Sequence, residues 1–170
     1  YEYACTMAAC FAYLLLKQQD AVACMAFDES VRMQVPMRSK RTHLQSIVEG
    51  LSVAEPRDKT DIGASFRRVA EALPRRGMVV IGSDLLGNTA ATIKGLKNSR
   101  QRGHDVMVFH VMDDDELDFP FTGPTRFDGL ESLDFLNCNP RALRDGYLAE
   151  VQKFLDELRH QCARHQIDYA

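Results

Sequence analysis

Two continuous apolar runs of strand length, Ala21–Phe27 and Met78–Ile81, set among stretches of helical period, constrain this chain more than any other feature. Asp105–Met112 reads as a third strand. Unbroken runs this short mark strands covered on both faces, because alternation is needed only where one face meets water. Helical stretches surround them. In residues 2–18, Tyr3, Met7, Cys10, Phe11 and Leu14 share one face. Leu44, Ile47, Val48 and Leu51 form a stripe behind Thr42-x-x-Gln45, the pattern of a capping box. Thr60 or Asp61 caps a helix carrying Ile62, Phe66, Val69 and Leu73, which Pro74 and Gly77 stop. A helix from Asn88 to Arg102 ends at Gly103, suited to the left-handed position after a helix. Asn139 caps and Pro140 opens a long helix with the stripe Leu143, Tyr147, Val151, Phe154, Leu158 and Cys162. Strands alternating with helices pair in parallel through right-handed crossovers. An α/β fold follows: a doubly wound, mostly parallel sheet with helices on both faces. Val31–Val35 alternates and meets Pro36, which predicts an antiparallel edge strand.

At 170 residues, 45% apolar and 26% charged, the chain reads as a single globular domain over 1–170. One stretch departs from the pattern. Residues 113–139 lack a helical period and hold Phe119, Phe121, Phe127 and Phe135 among turn residues, which predicts an insertion with a small hairpin. A net charge of −3 argues against a nucleic-acid surface. Arg67, Arg68, Arg75 and Arg76 fall late in a predicted helix, where cations complement the dipole. The longest apolar run, Met7–Leu16, is well short of the roughly 20 residues a membrane helix needs, and no signal-peptide pattern is present. Five cysteines without a Cys-x-x-Cys pair fit thiols in a reducing cytoplasm. Tyr1 starts almost inside a helix, and Ile167–Ala170 resembles a strand barely begun. The expectation is that the opening central strand and a C-terminal strand or helix lie outside these residues.

Two loops carry the chemistry. Lys59–Ser65 puts the Thr60 hydroxyl and the Asp61 carboxylate at the mouth of a helix, and Met78–Gly87 ends a strand on Asp84. Ligands of open α/β sheets sit outside the carboxyl ends of the strands, and oxygen donors arriving there suit a hard divalent cation such as magnesium. Each residue also has a local role open to it, Thr60 as a helix cap and Asp84 as a turn residue. Asp113, Asp114, Asp115, Glu116 and Asp118 lack the spacing of a calcium loop and read as a solvated acidic loop. His43, His104, His110, His160 and His165 show no metal-ligand spacing. No dinucleotide, phosphate-loop or nucleophile-elbow motif occurs.

The order helix, buried strand, edge hairpin, helix, Thr60-Asp61-Ile62-Gly63-Ala64 loop, helix, Val80-Ile81-Gly82-Ser83-Asp84 strand resembles the von Willebrand factor type A domain. More narrowly, it resembles the bacterial domain-of-unknown-function family number fifty-eight. That likeness also rests on Ala21–Asp28, Arg102-Gly103-His104-Asp105-Val106, Asp113 and Glu116 ahead of Phe119-Pro120-Phe121, Arg126-Phe127 near Glu131, Tyr147, and Ile167-Asp168-Tyr169. The resemblance implies a metal-ion-dependent adhesion site, with Thr60 as its threonine and Asp84 as its aspartate, holding Mg2+ or Mn2+. Its serine-bearing first loop is expected before Tyr1. Asp28-Glu29-Ser30 begins like that loop but has Arg32 at the final serine position. A cytoplasmic protein-interaction module, rather than an enzyme, is implied, with a MoxR-type AAA ATPase as partner. Two other readings stay open: a metal-dependent phosphotransfer or hydrolytic enzyme using Asp84 and Asp113, and a metal-free module binding through residues 119–135.

Overall fold

The computed structural model describes residues 1–28, 31–54, 76–128 and 135–170. The predicted helix from Thr60 to Leu73 lies outside the described residues. Helix α1 (Glu2–Lys17) leads into an antiparallel hairpin of β1 (Val22–Phe27) and β2 (Val31–Arg38), then α2 (His43–Val53). Strand β3 (Met78–Ser83), helix α3 (Thr89–Gln101) and strand β4 (Asp105–His110) form a parallel unit. A five-residue helix α4 (Asp114–Asp118) and the hairpin β5 (Thr125–Asp128) and β6 (Phe135–Cys138) precede the long helix α5 (Pro140–Arg164). Strand β7 (Asp168–Tyr169) then pairs in parallel with β4. The insertion therefore contains the expected hairpin, but also a helix the sequence pattern did not show.

The described strands form a three-stranded parallel sheet in the order β3-β4-β7 and two separate antiparallel pairs. This is narrower than the single mostly parallel sheet expected from sequence. Helices do cover both faces of the parallel sheet. Val79 and Ile81 of β3, in register with Val106 and Val108 of β4, pack with Leu96 of α3 and Leu158 and Cys162 of α5. The opposite face carries Gly82 and Phe109, and α1 lies on it: a Cβ at Gly82 would sit 3.0 Å from Met7, and the Phe11 and Phe109 rings are 5.2 Å apart.

A second core joins α1 to the first hairpin and α2, around Ala12, Leu16, Val22, Val35, Ile47 and Leu51. Here the expected face of α1 is corrected. Cys5, Ala8, Ala9, Ala12, Leu15 and Leu16 pack inward at helical spacing, while Tyr3, Cys10 and Leu14 are exposed. Strand β1 is half-covered rather than buried on both faces: among the described residues α1 and α2 pack on the face of Val22 and Cys24, and Ala23 on the other face is exposed. Pro36 does not end β2. Val22 pairs with Arg38 and Cys24 with Val35, so Pro36 and Met37 together oppose Ala23 in a bulge that needs no N–H from the proline.

The caps of α3 and α5 are as expected: Asn88 Oδ1 accepts from Ala91 N at 3.0 Å and Asn139 Oδ1 from Arg141 N at 3.2 Å. The capping box at α2 is not formed. Thr42 is itself helical in backbone and makes no side-chain cap, and Gln45 donates to Glu49 Oε1 at 2.9 Å instead.

Candidate functional site

The carboxyl ends of β3, β4 and β7 bring Asp84, His110 and Tyr169 together. The turn after β3 is held at several points. Ser83 Oγ accepts from Leu85 N and Asp84 Oδ1 from Leu86 N, both at 3.1 Å. Leu85 has φ 54°, a left-handed conformation disfavoured for a side chain of its size. Its side chain is 1% exposed in the core beneath the sheet edge, so burial offsets the strain. With Leu85 pulled inward, the Asp84 carboxylate stands exposed at the strand end.

The imidazole of His110 ties the three strand ends together. Its Nε2 is 2.7 Å from the Asp84 carbonyl oxygen, and its Nδ1 is 2.5 Å from the Tyr169 hydroxyl. A carbonyl can only accept, so Nε2 carries the hydrogen and, in the neutral ring, Nδ1 accepts from Tyr169. Phe154 of α5 meets the same ring edge-on at 5.8 Å. Burial pushes the His110 pKa down. Arg159 adds to that shift, against the hydrogen bond to Asp84 and the charges of Asp84 and Glu116. Burial likewise pushes the Tyr169 phenol up.

Of the residues expected at a metal site, Asp84 lies at the carboxyl edge as anticipated, and Thr60 lies outside the described residues. Asp113 follows β4, but its Oδ1 accepts from Asp115 N at 2.9 Å, and Glu116 Oε2 accepts from Asp113 N at 3.0 Å. The two close a capping box on α4. Asp28 is buried and pairs with Arg32 at the end of the first hairpin. Among the described residues, no group of three or more His, Cys, Asp or Glu could hold a metal ion. Exposed Asp84 and the neighbouring Ser83 hydroxyl are oxygen donors of the type a hard cation takes, but they do not complete a shell.

Sequence reasoning missed His110. The usable signal was its place as the last residue of a strand whose parallel neighbour ends one residue before an aspartate.

The fold and this edge define a mixed α/β protein with a polar cluster at the carboxyl ends of parallel strands. The family model described as "Protein of unknown function DUF58" matches residues 1–156, and the chain belongs to that family. Two solved structures resemble it. One is the conserved hypothetical protein BatB from Bacteroides thetaiotaomicron: 14% identical, TM-score 0.57, covering 98% of this chain and 78% of that one. The other is an aerotolerance-related membrane protein from Bacteroides fragilis carrying multiple mutations to serine. It is 18% identical with TM-score 0.60, covering 97% of this chain and 79% of that one. At these identities the likeness speaks for the fold alone. No curated protein matches the chain. Among the described residues, no helix is long and apolar enough to cross a membrane.

Proposed function

We propose that this chain is a von Willebrand A-like protein-interaction module, which docks a partner through a divalent ion at the carboxyl edge of its parallel sheet. The observation that carries the reading is the Asp84 turn: an exposed carboxylate at a strand end, held by a buried left-handed Leu85 and a histidine clamp on its own carbonyl. Strain of this kind collects where a loop must be held in one geometry. Magnesium or manganese would take Asp84 together with Thr60, other donors coming from a serine-bearing loop on a strand beside β3. Two features favour such a strand: β3 has one unpaired edge among the described residues, and α1 packs on both the parallel sheet and the first hairpin. An ion held by few carboxylates stays electrophilic and can accept a carboxylate from the partner. In this reading the module works in the cytoplasm as an adaptor for a MoxR-type AAA ATPase.

The enzymatic alternative needs Asp84 and Asp113 together, and it is weakened because Asp113 is engaged in capping α4. Calorimetry with magnesium and with manganese on the full-length protein tests the proposal. Binding that disappears in Asp84→Ala and in Thr60→Ala supports it. Absence of binding, or binding that both variants retain, overturns it.

A further inference from the structure

The pocket between the last turns of α1 and the start of α2 combines an apolar interior with a cationic rim, and uses none of the residues of the carboxyl edge. It is a cavity of about 140 Å³ lined by Tyr13, Leu16, Lys17, Arg41 and Leu44. Leu16, 2% exposed, belongs to the core behind it, and Tyr13, 51% exposed, stands at its mouth. For scale, an apolar cavity of about 150 Å³ holds one benzene, so this one suits a single bulky side chain.

Cations outnumber carboxylates around the mouth; the nearby acid is Asp20, exposed in the turn after α1, where its N–H donates to Leu15 O. Lys17 and Arg41 line it, and Arg38 and Lys40 lie in the segment leading into it, all four exposed. None of the four has an ion-pair partner among the described residues, while Arg32 on the same hairpin is paired with Asp28. The whole chain is negative, at −3, so this positive surface is a local feature. Unpaired cations beside an apolar hole favour an anionic partner that also brings an apolar group.

We propose that this pocket docks an acidic peptide segment of a partner protein, with one aromatic or large aliphatic side chain seated between Tyr13 and Leu44 and flanking carboxylates on Lys17 and Arg41. Concavity selects a peptide over an anionic bilayer. A membrane-docking patch drives protruding apolar groups into lipid, whereas a pocket receives a side chain and gives specificity for it.

The test is fluorescence anisotropy on the full-length protein with labelled Asp-Glu-Asp-Phe-Asp-Glu-Asp and the same peptide with Ala at its centre. The Phe peptide is expected to bind about tenfold tighter or better, from burial of one aromatic side chain. Its affinity should fall with added salt, as exposed charge pairs require. The double variant Lys17→Glu with Arg41→Glu should lose binding about tenfold or more. Tyr13→Ala, which leaves charge unchanged, should shrink the difference between the two peptides, and keeps the test decisive if the charge reversal unfolds the chain. Equal binding of both peptides overturns the proposal. So does indifference to the charge reversal in a folded protein, or binding to phosphatidylserine vesicles with none to the peptide.

Discussion

Leu85 shows how one residue can be locally unfavourable and still necessary. Its left-handed backbone costs a side-chain-bearing residue about 1–2 kcal/mol, and its buried side chain contributes more than that. Shortening it to alanine therefore removes the gain and keeps the strain: Leu85→Ala should lower stability by about 3 kcal/mol. Leu85→Gly loses the same packing but relieves the backbone. It should be the more stable of the two by about 1 kcal/mol, the reverse of the usual order. Urea denaturation of the three proteins checks this, and alanine equal to or better than glycine would refute the strain argument. His110 adds a pH dependence of known sign. Its folded pKa lies below the ordinary 6.5, so the unfolded chain takes up the proton first. The contribution is fully present above about pH 6.5 and is lost as pH falls through the lower folded value. Urea midpoints measured in a chelator from about pH 7.5 to about pH 5 should decline, and His110→Gln should flatten that decline.

At the scale of elements, the same residue pattern had different outcomes in different packing, which bounds what sequence could tell. Asn88 and Thr42 both stand where a helix cap is expected, yet only Asn88 accepts a first-turn amide. Asn88→Ala should therefore cost about 1 kcal/mol, whereas Thr42→Ala should be close to neutral in thermal denaturation. Short-range signals were enough to place α3, β4 and α5; the expected stripe of α5 is buried at Leu158 and Cys162, while its first member, Leu143, is exposed. Such signals were not enough for α1, which is apolar almost all round. Its inward face is selected by small residues, Ala8, Ala9 and Ala12, that let the first hairpin and α2 approach, and no periodic count reveals that. Pro36 misled for a similar reason: a bulge gives a proline a place within a strand that its missing donor alone would forbid. The close approach of α1 to β3 at Gly82 gives another check. Gly82→Ala is tight only against the flexible end of Met7, with the Ala4 Cβ at an ordinary 3.5 Å, and should be mild. Gly82→Val should overpack the interface by about 1–3 kcal/mol, with both read by urea denaturation.

The candidate site was legible in the sequence only at the level of one loop, because convergence is a property of the whole molecule. Asp84 could be placed from its strand, but His110 reaches it across 26 residues through pairing of β4 with β3, and Tyr169 reaches His110 across 59 through pairing of β4 with β7. The same whole-molecule view shows two cores among the described residues. One lies between the parallel sheet, α3 and α5; the other joins α1, the first hairpin and α2. Helix α1 touches both, with Met7 and Phe11 on the parallel sheet and Ala12 and Leu16 on the hairpin side. Among the described residues the first hairpin pairs only with itself, through bulges near both ends of its ladder, whereas β4 is paired on both edges beneath two helices. Strands β1 and β2 each bury one side chain, Val22 and Val35, whereas β3 and β4 each bury two, and less burial per strand means a lower local opening free energy. Native-state hydrogen exchange should therefore find the amides of Cys24 and Val35 opening in a partial unfolding of lower free energy, and those of Val79, Val106 and Val108 only in the global one. Phe11→Ala removes part of α1's hold on β4 and should widen the gap between the two classes. A single exchange class for all five amides, unmoved by Phe11→Ala, would show that the hairpin and the parallel sheet unfold as one unit.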